Sequence, residues 1–286
     1  MSVMGFIGVH SIGQRFAWRG MSSVDHRLIS AAHRRLGDRL DETAVREAEL
    51  KLLNEARRWG LGVGDTAYVD DLQLLADLQH YGVETRLIDF TSNPTTALWF
   101  ACQTPGVGPH GRNFSKSGVL LALNVTAWPS YASVGPANTW DHISDRAGAT
   151  LRHALNSQAP FLVESSHPND RLRAQEGLFV ASSVPAKSSF SRLLTTPFHS
   201  IDVKFSQGDP EKLGRQLTGD RLRGAPQHIP FVAVIINAGL KPKLLKYLEN
   251  TYNRSPRVLF PDFAGYREFA AYGGLGGNAG AVGGRT

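Results

Sequence analysis

One cysteine, Cys102, stands in a chain of 286 residues, so no disulfide can close within it. Cysteine usage of this kind is simplest to place in a reducing cytosol, and we expect a cytoplasmic protein. Long apolar runs are also missing. The longest, such as Phe231 to Ile236 and Val119 to Leu123, fall far short of the roughly 20 residues that a membrane-spanning helix needs, and no membrane partner is expected. The opening residues, MSVMGFIGVHSIGQ, carry no basic leader ahead of an apolar stretch, so no secretory signal is read there.

Several motifs are absent, and each absence removes a class of chemistry. There is no Walker lysine loop and no G-x-S-x-G elbow. GVGPHG, residues 106 to 111, spells G-x-G-x-x-G, but no strand precedes it and Pro109 interrupts it, so the dinucleotide-binding reading fails. The ten histidines include no H-E-x-x-H and no close His and Cys pairing, so no metal is expected. Cys102 lies in an apolar segment, where a packed thiol is expected rather than a nucleophile.

What is present is a core and a basic surface. Apolar residues make up 42% of the chain, enough for one large domain. The formal charge of +6, carried mostly by arginine, favours acidic partners and suits phosphate or carboxylate oxygens taken two at a time. Strand and helix patterns are mixed along the chain, without a strict βαβ rhythm and without an internal repeat. QRFAWRG alternates as a half-buried strand closed by Gly20. Residues 41 to 59 repeat apolar positions every three or four, at Ala44, Val45, Ala48, Leu52, Ala56 and Trp59, as an amphipathic helix does. A second helix starts near Leu72 and stops at Gly82. TRLIDF follows as a short strand, and TSNP starts the helix TTALWFAC, with Pro94 at its first position. Later segments read as the strand VLLALNV, a helix near RAGATLRHAL, the strands FLVE and GLFVASS, a fully buried strand IPFVAVIIN, the helix KPKLLKYLENTY, and a strand RVLF turning at Pro261 into a last helix. The expected fold is α+β, one mixed domain with a largely antiparallel or mixed central sheet flanked by helices. The Gly-rich residues 273 to 286 have almost nothing to bury and are expected to form a flexible tail.

The most informative stretch is LLADLQHYGVETRLIDFTSNPTTALWFAC, Leu74 to Cys102, in which two apolar runs enclose His80, Tyr81, Thr85, Arg86, Asp89, Thr91 and Asn93. Polar clusters on short connections between rigid elements are common binding-site walls. WRG at residues 18 to 20, this central block, NDRLRAQEGLFV and VLFPDFAG occur in the order of the FRG-domain family, which the chain resembles over roughly residues 11 to 270. The resemblance makes residues 1 to 272 an FRG-like domain. It adds Arg171, Gln175 and Asp262 to the polar positions, and shows one departure at Glu176, where the family's pattern carries glutamine.

Arg19, Arg171 and helix N-termini near Asn93 and Asp262 would favour an anion, so a phosphate-bearing ligand is expected: a small molecule such as a nucleotide or NAD, or nucleic acid. The WRG strand also looks like the arginine-bearing first strand of the ADP-ribosyltransferases. That resemblance implies Arg19 on the cofactor phosphates, His80 and Tyr81 on the ribose and nicotinamide, and Glu176 as the carboxylate facing the oxocarbenium-like centre, with NAD as cofactor. On this reading His80 and Glu176 are the catalytic pair, and Arg19, Tyr81, Thr85, Arg86, Asp89, Thr91, Asn93, Arg171, Gln175 and Asp262 bind the ligand. The alternatives are a nucleic-acid-binding or nuclease-like module, favoured by the basic segments HRLISAAHRRLGDR and GRQLTGDRLRG, and a non-catalytic interaction domain. Each residue also has a plainer use. Asp89 can pair with Arg86, Asn93 and Asp262 can cap helices, Thr85 and Thr91 suit a strand, and His80 suits a helix C-terminus. The oligomeric state is not legible in the sequence.

Overall fold

The computed structural model describes residues 12–37, 41–63, 69–104, 114–132, 149–156, 160–165, 168–184, 203–204, 231–263 and 265–266. The GVGPHG segment, the segment GRQLTGDRLRG and the expected tail lie outside the described residues.

Strands β1 (Phe16–Met21) and β2 (Arg27–Leu28) come first, followed by helices α1 (Ala31–Leu36), α2 (Glu42–Arg58) and α3 (Asp71–His80). Then come β3 (Ile88–Thr91), α4 (Pro94–Ala101), β4 (Gly118–Asn124), β5 (Ser130–Ala132), α5 (Ala149–Asn156), β6 (Phe161–Glu164), α6 (Asp170–Ala174), β7 (Gly177–Ala181) and β8 (Val203–Lys204). Strand β9 (Phe231–Ile236), a 3₁₀ turn, α7 (Lys241–Tyr252) and the single-turn helix α8 (Pro256–Leu259) complete the series. Seven strands form one sheet in the order β5-β6-β7-β3-β1-β4-β9, and β2 pairs with β8 apart from it. Every pairing in the large sheet is antiparallel except β5 with β6. The architecture is α+β, a mixed sheet flanked by helices.

Local chemistry explains the boundaries. Asp41 caps α2 by accepting from the Ala44 amide at 2.7 Å, and Asp70 caps α3 through the Leu72 amide at 2.8 Å. Helix α3 ends where Gly82 takes a φ of +82°, a conformation glycine adopts without steric cost. Asn93 caps α4, accepting from the Thr95 amide at 2.8 Å, with Pro94 at the first helical position.

The sheet is buried on both faces at its centre. Ala17 and Met21 of β1 join Ile88, Phe90, Leu121 and Val180 in one cluster, while Trp18 packs on the opposite face with Ala97, Trp99, Leu120 and Leu248. Strand β1 is therefore a central strand and not half-buried, and it runs through Gly20 to Met21. Gly20 has a packing role instead. A Cβ there would lie 1.8 Å from the carbonyl oxygen of Ala97, and one at Gly118 would lie 2.1 Å from that of Ala101. These two glycines let α4 rest directly on β1 and β4.

Three other expectations are corrected. β9 is the sheet's last strand, with only Ile236 buried, because no further strand follows it among the described residues. RVLF lies in the turn of helix α8 instead of a strand, since Pro256 sits at the helix start and Phe260 closes it. The buried stripe of α2 is Val45, Glu49, Leu53 and Ala56, whereas Trp59 lies past the helix end and is 79% exposed.

Glu49 is buried for a reason. Arg86, fully buried, donates from Nε to Glu49 at 2.8 Å, from NH2 to Glu49 at 2.6 Å and from NH1 to Glu42 at 3.0 Å. Burial works to lower the Arg86 pKa, but the two carboxylates outweigh it and raise it above its ordinary value. This triad fastens α2 to the chain entering β3. Among the described residues no helix is long and apolar enough to cross a membrane.

Candidate functional site

Strands β1 and β3 share a single register pair, Trp18 with Thr91. Just past it, the NH1 of Arg19 donates to the backbone carbonyl of Asp89, so a side chain takes the place of a ladder bond. Strand alternation sets the Arg19 Cβ on the face of Ala17 and Met21, yet its side chain lines a cleft with Trp18 and Gly20.

That cleft has a volume of about 260 Å³. Its floor is β1 and β3, and its walls are the end of α3 (Gln79, His80), α4 (Ala97, Phe100), α6 with its C-terminal turn (Arg171, Leu172, Gln175), and Phe260. A larger, shallower hollow of about 620 Å³ adjoins it across Phe260 and Asp262. Fewer polar groups converge there, so the smaller cleft is the candidate site.

Arg19 uses little of its hydrogen-bonding capacity. Of its five N–H groups, one is bonded to the Asp89 carbonyl, and Nε is shielded from solvent without a partner among the described residues. The Asp89 carboxylate lies 4.0 Å from NH1, and the Phe90 ring centroid 5.9 Å from the guanidinium carbon. Burial pulls Arg19 below an arginine's ordinary pKa, Asp89 partly opposes this, and Arg34 adds to it.

Arg171 is held in a two-pronged pair by contrast. Its Nε and NH2 donate to the two carboxylate oxygens of Asp262 at 2.8 and 2.7 Å, and its guanidinium stands 5.0 Å from the Phe260 ring centroid. The bond from Arg171 holds the Asp262 carboxyl below the usual carboxylate range against the opposing effect of burial, with the Gly265 amide assisting. His80 is held neutral more readily than a free histidine. Burial lowers its pKa first and Arg171 next, while Asp262 and Asp89 oppose them.

Asp89 is oriented from behind. Gln79 Nε2 donates to Asp89 Oδ2 at 3.1 Å, and the Thr85 hydroxyl donates to Gln79 Oε1 at 2.9 Å. The Asp89 side chain is 63% exposed, and its other carboxylate oxygen has no partner among the described residues.

Six of the expected residues thus line one cleft: Arg19, His80, Asp89, Thr91, Arg171 and Gln175. Asp262 reaches it through Arg171. Thr91 spends its hydroxyl on the Gln175 carbonyl at 2.7 Å and the Asn93 amide at 3.0 Å, and Gln175 reaches the Leu259 carbonyl at 3.0 Å. Five residues lie elsewhere. Arg86 is locked in its buried triad, Thr85 supports Gln79, and Tyr81 is 80% exposed beside His80. Asn93 Oδ1 caps α4, and its Nδ2 donates to Glu176 Oε1 at 2.8 Å. Glu176 also accepts from Arg254 NH2 at 3.0 Å, outside the cleft. The N-terminus of α4 is satisfied by its own cap. Cys102 is buried, and burial raises its thiol pKa to about 11 despite Lys241 nearby.

Gln79, Phe100, Leu172 and Phe260 were not anticipated. Gln79 stands directly before His80 in LQHYG, and its helical position one turn above the strand was the available signal. Among the described residues no three His, Cys, Asp or Glu side chains gather as a metal would require.

The class these features define is an α+β domain whose mixed sheet carries a cleft lined by Arg19, Arg171, Asp89 and aromatic side chains. The FRG-domain family model matches residues 14–107, about a third of the chain, and the chain carries an FRG domain. No curated protein and no solved structure matches it.

Proposed function

We propose that the cleft binds a phosphate-bearing small molecule of nucleotide type. The observation that carries this reading is Arg19, an arginine set in the wall with most of its donors unused. A buried donor left unpaired costs on the order of 1–3 kcal/mol, and such a cost is commonly met at binding sites. Phosphate oxygens are natural partners for a guanidinium, and Phe100, Phe260 and Trp18 offer apolar walls for a planar ring.

The cleft falls just below the roughly 300–1,000 Å³ typical of small-molecule pockets, so it suits one nucleotide half of a dinucleotide. NAD is the dinucleotide case, and an ADP-ribosyltransferase-like effector is the activity it would serve. Bound NAD would supply a glycosidic bond whose cleavage expels neutral nicotinamide and builds positive charge at the ribose. Arg19 would hold phosphate, and His80, readily neutral, would accept the proton of the hydroxyl or amine that attacks the ribose carbon. Glu176 is committed to Arg254 and Asn93, so Asp89, which lines the cleft, would be the carboxylate that faces that charge.

The nucleic-acid reading gains no observation of its own. In the described basic segment Arg34 donates to the Ile29 carbonyl at 2.8 Å and Arg35 pairs with Glu84 at 3.5 Å.

Calorimetry of the whole chain with NAD, and with a short RNA at two salt concentrations, tests the proposal, with Arg19→Ala as the control. Nucleotide binding that is shallow in salt and lost in Arg19→Ala is expected. RNA binding that falls steeply with salt, without nucleotide binding, would overturn it.

A further inference from the structure

The formal charges around the cleft nearly cancel, and this narrows the ligand. Arg19 and Arg171 are met by Asp89 and Asp262, and Arg171 already makes a two-pronged pair with Asp262 that balances its charge. A bare anion would therefore find one guanidinium not already in a two-pronged pair, Arg19, with an aspartate carboxylate beside it, 4.0 Å away. A ligand that offers only negative charge is repelled by that carboxylate. One that offers a phosphate and hydroxyl donors on the same scaffold satisfies both.

We infer, resting on the nucleotide reading above, that Asp89 is the specificity-determining residue of the cleft, accepting from the hydroxyls of a ribose whose phosphate lies on Arg19. Asp89 has the features this role needs. It is placed at the cleft rim with one carboxylate oxygen held by Gln79 and the other without a partner among the described residues. Its backbone carbonyl is fixed by the same arginine that would take the phosphate. The phosphate donor and the hydroxyl acceptor are thereby locked to each other, and their spacing does not depend on loop position. Gln79 is the positioning residue, itself fixed by Thr85. A carboxylate with a free oxygen accepts from two vicinal hydroxyls or an amine but rejects a second phosphate, so the site takes ribonucleotides over their deoxy counterparts.

The test compares ADP, 2′,3′-dideoxy-ADP and inorganic pyrophosphate by calorimetry on the whole chain, wild type and Asp89→Asn. Hydrogen bonds to a charged group set the expected difference at about tenfold or more in favour of ADP over the dideoxy compound. Asp89→Asn should bring the ratio close to unity, and Gln79→Leu should reduce it without removing binding. Equal binding of ADP and dideoxy-ADP by the wild type overturns the role of Asp89 and leaves the phosphate reading standing. Failure of both ADP and pyrophosphate to bind overturns the phosphate reading and this inference with it. The wild-type comparison needs no variant to fold, and Asp89 is exposed enough for an isosteric amide to be accommodated.

Discussion

Glu176 has a backbone φ of +50°, in the left-handed region where a side chain costs roughly 1 kcal/mol relative to glycine. The turn that needs this conformation brings its carbonyl to the Ser92 amide at 3.0 Å, and its carboxylate bridges Arg254 and Asn93. Glu176 therefore joins α6, α4 and α7 as a tie, at a half-exposed site where an ion pair contributes about 0–1 kcal/mol. Three results follow for denaturant titration and calorimetry. Glu176→Gly should stay within about 1 kcal/mol of wild type, because relief of φ offsets the lost tie, and Glu176→Ala should be less stable than Glu176→Gly. Glu176→Gln should leave nucleotide affinity unchanged. A large loss of affinity would return this carboxylate to the site.

His80 supplies the residue-scale pH dependence. Its folded pKa is lowered by burial first and by Arg171 next, with Asp262 and Asp89 opposing. The unfolded chain therefore binds this proton more readily than the fold does, and stability falls as pH drops below about 6.5, the ordinary histidine value. Melting temperatures measured between pH 7.5 and 5.5 should fall less in His80→Gln than in wild type. His26 has the same sign, from burial and then Arg19, so the difference between the two curves is the informative quantity. Parallel curves would sink the assignment.

At the level of elements, the contact of α4 with β1 and β4 is the joint that the WRG motif specifies. Gly20 follows Arg19 because any Cβ would strike the α4 backbone, at 1.8 Å from the Ala97 oxygen and 2.5 Å from the Ala101 nitrogen. Backbone atoms have no rotamer with which to yield, so Gly20→Ala is expected at the upper end of overpacking costs, about 3 kcal/mol or more. Its neighbour Arg19 should then lose its registration against Asp89, and nucleotide binding should weaken along with the denaturation midpoint. Much of this element layer was legible in the chain. The cap at Asn93, the stop at Gly82 and most strands follow from local chemistry that acts within a few residues. What failed was of longer range. Apolar character in Phe231 to Ile236 reports burial by neighbours but not which end of the sheet the strand occupies. The buried Glu49 could not be told from a solvent-facing residue without Arg86, 37 positions away. Arg19 was legible as a candidate, but its bond to the Asp89 carbonyl, 70 positions away, was not. The same holds for Glu176, whose sequence position beside Gln175 hid that its side chain turns toward Arg254.

The cleft is a property of the whole molecule, and the family match makes this testable. Residues 14–107 contain Arg19, Gln79, His80 and Asp89, but Arg171, Gln175 and Phe260 come from far along the chain. The sheet is divided in the same way. β1 pairs along its full length with β4, at Gly118–Asn124, and β3 pairs with β7, at Gly177–Ala181, whereas β1 and β3 meet at one register pair. A fragment of residues 12–107 would thus keep two central strands with almost no ladder between them, and would expose both faces that Leu121, Leu123, Val180 and Leu248 now cover. Two strands without a covered face are marginal in water at best. The fragment is expected to give the circular dichroism of an unfolded chain with residual helix and to bind no nucleotide, while the whole chain melts cooperatively. Binding should also raise the melting temperature of the whole chain, with a stabilisation of about 2.7 kcal/mol at a hundred times Kd. A fragment that folded and bound ADP would mean that the later segments decorate a self-sufficient site, and Arg171, Gln175 and Phe260 would lose their place in it.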